Sequence, residues 1–144
     1  MQANAMKMNK ENIKPNAMEM NLEFIKSTNQ ATAVEKLLLV LGFQSRLIGT
    51  NYLAEAITIK YFDERLSCSN IYKQIAAKYG TTYASVERAI RHSLGNCRNE
   101  GCIKDFNALI GCNAIDRKFD TTNSEFISLA SKWLHWVGAA NADR

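Results

Sequence analysis

Only one proline, Pro15, occurs among the 144 residues, so none of the periodic apolar segments that follow it contains a residue that would break a helix. Long apolar runs are missing too. The longest, Leu37 to Leu41, is too short to cross a bilayer or to form the core of a signal peptide, so the sequence predicts a cytoplasmic chain with no membrane partner. Histidine is scarce, at His92 and His135, and the four cysteines (Cys68, Cys97, Cys102, Cys112) include no C-x-x-C pair. This excludes the usual zinc frameworks, and no metal or cofactor is expected. Without a secretory signal the cysteines read as reduced, mostly buried thiols. No convergent nucleophile and base, no paired carboxylates and no glycine-rich phosphate cradle can be found, which argues against an enzyme.

What remains is an ordinary globular composition with one asymmetry. The length suits a single domain, and 47% hydrophobic residues can fill one core while 22% charged residues cover it. The formal net charge of +4 is local. Between Ile71 and Lys104, six cations (Lys73, Lys78, Arg88, Arg91, Arg98, Lys104) face two anions (Glu87, Glu100), and the rest of the chain sums to zero. A cation excess confined to one stretch points to a polyanionic partner, because phosphate binding follows local charge density. Alone, it also fits a solvated basic helix face.

Along the chain, residues 1–30 read as a tail rich in Asn, Met and Lys, with room for a short amphipathic helix from Asn16 to Lys26. Residues 31–138 read as the domain and 139–144 as a C-terminal tail. Helical spacing begins with Val34, Leu37, Leu38 and Leu41 and stops at Gly42. A second helix is expected from Asn51, as N-cap, to Arg65, and a third from Asn70 to Gly80 with Ile71, Ile75, Ala76 and Tyr79 on its apolar side. A fourth follows Thr82 and runs to Asn99, a fifth spans Ile103 to Ile110, and the last opens on a Thr122–Glu125 capping box and runs through Trp136. Residues 113–119 are left as a connection. The fold class is therefore all-α, a compact six-helix domain.

Residues 72–91 meet the demands of a helix-turn-helix in order. Ile75 and Ala76 form a small apolar face, Gly80 marks a sharp turn, Thr81 or Thr82 can cap the next helix, and Val86, Ala89 and Ile90 anchor that helix. On a 3.6-residue period Val86, Ala89, Ile90, Ser93, Leu94 and Cys97 share one face. Ala84, Arg88, Arg91 and Gly95 share the other. The N-terminal half of that face normally meets base edges, so Ser85, Glu87 and Arg88 are candidate base readers, with Lys78, Thr82, Arg91, His92 and Arg98 candidates for phosphates. Glu87 and Arg91, four apart, also suit a simple helix-stabilising pair of about 0.2–0.5 kcal/mol. On the last helix, Phe126, Leu129, Trp133 and Trp136 are candidates for a dimer contact, the tryptophans equally for core.

The block Ile75-Ala-Ala-Lys-Tyr-Gly-Thr-Thr82 with Val86-Glu-Arg-Ala-Ile-Arg-His92 resembles the C-terminal effector domain of the stage-zero sporulation response regulators of endospore-forming Firmicutes. Tyr52-Leu-Ala-Glu-Ala-Ile57 and Thr122-Asn-Ser-Glu-Phe-Ile127 are similar in the same order, so the resemblance covers about residues 32 to 134. It implies a six-helix, sequence-specific DNA-binding transcriptional regulator that occupies tandem promoter boxes as a homodimer, activates or represses, and contacts the RNA polymerase sigma subunit. Glu87 and Arg88 would read bases, with Arg91 and His92 near the backbone. Two departures stand out: Ser85 replaces an arginine usual in the family, and the chain has no room for the family's phosphorylated receiver domain. Ser85 keeps open a different reading, a helical interaction module that dimerises with a full-length regulator or contacts polymerase without useful DNA affinity.

Overall fold

A computed structural model describes residues 30–99, 102–112, 114–115 and 122–142. Among them there are six helices and no strand: α1 (Gln30–Val40), α2 (Ile48–Phe62), α3 (Cys68–Tyr79), α4 (Tyr83–Asn99), α5 (Cys102–Ile110) and α6 (Asn123–Ala142). The expected 16–26 helix and most of the connection at 113–119 lie outside the described residues.

α2 is the hub. It carries apolar residues on nearly every side, and a helix of that kind is stable only when surrounded. Leu53, Ala56 and Ile57 are fully enclosed, Tyr52 is buried, and Ala54, Ile59 and Tyr61 pack at the margin. α1, α3, α4 and α6 all rest against it, and α5 packs on α4 and meets α6 through Phe106. A phenylalanine cluster closes the far end of the core, with Phe126 of α6 lying 5.5 Å from Phe43 and 5.1 Å from Phe106 between ring centres. The chain leaving α5 is tied back by Asn107, whose amide donates to the Ile115 carbonyl (2.9 Å) and accepts from the Ile115 amide (3.0 Å).

Several helix ends differ from their sequence expectation. α2 starts at Ile48 and not at Asn51, with Leu47 as an N-cap that offers no side-chain bond. Tertiary packing sets this boundary, since the extra turn carries Gly49 and Thr50 into contact with α4. α2 stops at Phe62, short of Arg65. α3 is capped by Ser67, which accepts from the Asn70 amide (3.2 Å), so the helix begins before Asn70. At α6 the Thr122 hydroxyl accepts from the Glu125 amide as a cap should, but Glu125 Oε1 receives that same hydroxyl and not the Thr122 amide. α6 also continues to Ala142, past the expected start of a tail. Its middle is held to the end of α2 by His135, whose ring stacks on Tyr61 at 4.1 Å and whose Nε2 lies 2.9 Å from the Tyr61 carbonyl and 3.0 Å from Glu64 Oε1.

The cysteines are not all reduced as expected. Cys97 is disulfide-bonded, while Cys68 and Cys112 are free. Bonding follows from which sulfurs the fold brings together, and spacing along the chain does not show that.

Candidate nucleic-acid interface

α3, a three-residue turn and α4 follow one another as the motif requires. Gly80 adopts the left-handed conformation (φ 64°, ψ 36°), which a side chain would resist, and the Gly80 and Thr81 amides both close on the Ala76 carbonyl. Thr82 then caps α4, its hydroxyl accepting from the Ser85 amide at 3.1 Å. α3 buries Ile71, Tyr72, Ile75 and Ala76, and α4 buries Val86, Ile90, Ser93, Leu94 and Cys97, the face expected from its period. Ala89 packs at the margin of the same face.

The depth of α4 is set by α2. A Cβ on Gly49 would sit 1.9 Å from the Ala89 carbonyl oxygen, so the two backbones touch there. One turn further on, the Thr50 and Ser93 hydroxyls share a buried hydrogen bond of 2.6 Å. This crossing places the uncapped start of α2 beside the outer face of α4, and the two enclose a groove of about 420 Å³ lined by Leu47, Ile48, Gly49, Ser85, Arg88, Ala89 and His92.

On that outer face the candidate residues differ in what already holds them. Arg88 and His92 are exposed, and neither has a partner among the described residues. Thr82 donates to the Ser85 hydroxyl (2.9 Å), so both belong to the cap. Glu87, half-buried, is ion-paired with Arg91. Lys78, expected at a phosphate, is engaged by Glu55 of α2. That hydrogen bond holds the Lys78 ammonium above its ordinary range, and Tyr79, which donates to the other Glu55 oxygen at 2.7 Å, is raised by the same carboxylate. Tyr79 is therefore exposed and polar-bonded, its ring tilted at 50° against Tyr52 and not within the apolar side of α3. The Arg98 side chain lies outside the described residues.

The four residues considered for a dimer contact divide. Phe126 and Trp133 are buried in the core of the single chain, and Leu129 is packed against it, so they have little or no surface to offer a partner. Trp136, 55% exposed, is the one that presents surface. The reason is helical phase: Phe126, Ala130, Trp133 and Leu134 turn inward, and Trp136 falls on the other side.

Sequence reasoning missed Tyr72 and Asn123. Tyr72 is buried beneath α4, with its ring edge-on to Tyr83, and its hydroxyl makes no hydrogen bond although Asn123 and Ser124 lie near it. Burial pushes its pKa up to about 12. The Tyr72→Phe variant is expected to be as stable as the parent or more stable, by about 1 kcal/mol at neutral pH, because it removes an unpaired buried hydroxyl. The pH dependence has a definite sign. The neutral phenol is favoured in the folded state, so its contribution is complete below the ordinary value of 10 and is lost as pH rises from 10 towards 12, where only the unfolded chain ionises. Urea unfolding of both proteins from neutral pH upward should show their stabilities separating above pH 10, with the parent falling faster.

A family model described as sporulation initiation factor Spo0A C terminal matches residues 34–134, well over half of the chain and all of the elements that build this face. The match and the helical order agree, and the chain belongs to the family of DNA-binding effector domains of that sporulation regulator.

Proposed function

We propose that the protein is a sequence-specific regulator of transcription that lays the outer face of α4 in the major groove of duplex DNA. The observation that carries this is the state of Arg88: exposed on the first half of α4, without a partner among the described residues, and adjoining His92 in the groove shared with the start of α2. A guanidinium in that position can meet two guanine acceptors at once, a contact that discriminates by about 1–3 kcal/mol. His92, one turn on, suits a phosphate, and Arg91 can join it by exchanging Glu87 for the DNA backbone. Ser85, tied into the cap, contributes less to reading than an arginine would. Glu87 reads only when Arg91 releases it.

The test is anisotropy binding to duplexes with tandem family-like boxes against scrambled competitors, across a salt series. The wild type is expected to prefer one box, and Arg88→Ala to lose about 1–3 kcal/mol of that preference. If neither protein binds above the scrambled background, the face does not read DNA, and a protein-interaction module becomes the better reading.

Tandem boxes would bring two copies side by side, and the exposed Trp136 of α6 is the residue proposed to meet the neighbouring copy. Trp136→Ala should leave the unfolding midpoint within about 0.5 kcal/mol of wild type while lowering cooperativity between two boxes. Unchanged cooperativity would move the contact elsewhere, including to the RNA polymerase sigma subunit as a partner for Trp136.

A further inference from the structure

Asn123 opens α6, yet its side chain is bonded to α4. It is buried, and its Nδ2 donates to the main-chain oxygen of Glu87 at 3.0 Å, across 36 residues of sequence. Neither end requires this bond locally. The first turn of α6 is already capped by Thr122, and a carbonyl in mid-helix already accepts from the amide four residues on. The bond therefore joins two helices and completes neither.

Its place on α4 matters. Glu87 and Arg88 share the turn proposed to enter the groove, and most of what holds that turn from below is apolar: Val86 and Ile90, both fully buried. Apolar contacts resist separation but allow sliding and rotation, whereas a hydrogen bond fixes direction as well as distance. Two such ties leave the inner side of α4, Ser93 to Thr50 of α2 and the Glu87 carbonyl to Asn123 of α6, while at its ends Tyr83 has a longer, exposed 3.5 Å hydroxyl contact with Ser69 of α3 and Cys97 is disulfide-bonded. Of these the Asn123 bond alone falls within the turn that carries Arg88, so it bears most directly on the rotation of that turn.

We infer that Asn123 is a positioning residue for base reading, which sets the rotation of the Glu87–Arg88 turn against α6. The inference rests on the proposed reading of α4 as the groove-entering helix. It makes box preference, more than overall DNA affinity, depend on a residue that never meets DNA.

The experiment measures box preference and salt dependence for wild type, Asn123→Ala, Asn123→Asp, Arg88→Ala and the Asn123→Asp/Arg88→Ala double variant, with thermal unfolding of each. Asn123→Asp keeps the shape, removes the donor and places a carboxylate where a helix start favours one, so it is the variant expected to fold even if the alanine does not. Folded variants should lose about five- to tenfold in preference for the best box. Affinity for scrambled duplex and the salt slope should stay as in wild type, because the phosphate contacts are unchanged. In the Arg88→Ala background the aspartate should cost less than about twofold more, since both changes act on one contact. Full preference in a folded variant, an undiminished loss on top of Arg88→Ala, or loss of the fold in both variants would each overturn the inference. A wild type without box preference would instead sink the reading of α4 itself.

Discussion

Replacing Gly49 with alanine should destabilise the protein by about 2–3 kcal/mol, although the same exchange in an exposed helix stabilises by about 1 kcal/mol. The reversal of sign is the signature. Gly49 lies in the first turn of α2, and an added Cβ would stand 1.9 Å from the Ala89 carbonyl oxygen and 2.5 Å from its carbon. Neither atom belongs to a flexible side chain, so the helices themselves must part. Parting them stretches the 2.6 Å bond between Thr50 and Ser93, which is buried and cannot be replaced by water without further opening. The urea midpoint should fall with an unchanged slope. DNA preference should fall with it even where the variant is folded, because the same contact sets how far Arg88 stands from α2. An alanine variant as stable as wild type would mean that α2 and α4 do not touch through their backbones.

The second large effect is expected at Phe126. Its side chain is fully enclosed and lies between Phe43 and Phe106, so Phe126→Ala removes the centre of a three-ring cluster and leaves a cavity. A loss of about 3–5 kcal/mol is expected, a large share of the ~5–15 kcal/mol that holds a typical domain. Equilibrium unfolding distinguishes this from an interface role. A residue of the core lowers stability at every protein concentration, while a residue of a dimer contact alters association and leaves the folded monomer intact. Retained stability with lost box cooperativity would return Phe126 to the interface.

These two residues also mark where the sequence was legible. The inner face of α4 followed from period alone, since Val86, Ile90 and Leu94 recur at helical spacing and no other arrangement buries them together. Gly80 likewise announced its turn. The start of α2 did not show, because Asn51 offers a plausible cap while Leu47 offers none, and only the contact of Gly49 with Ala89 explains the earlier boundary. The aromatic residues of α6 were ambiguous for a similar reason: Trp133 and Trp136 differ by less than one turn, and spacing does not say which of them faces the body.

The candidate face was half legible. Four-residue spacing allowed Glu87 to pair with Arg91, but nothing local could show that Lys78 would be held by Glu55, 23 residues earlier, or that Asn123 would reach Glu87. Such pairs depend on which helices become neighbours. That is decided by α2, whose apolar surface draws four helices around it.

The division of labour on the outer face of α4 has a consequence for how such a regulator can diverge. Ser85 is committed to the cap, Glu87 and Arg91 to each other, and the buried side to the core, while Arg88 and His92 have no hydrogen-bond or ion-pair partner among the described residues. Duplicated copies could drift at these two sites and acquire separate target vocabularies while folding equally well. Change at Glu87 or Arg91 would also cost the pair they form, about 0.2–0.5 kcal/mol, so it is less free.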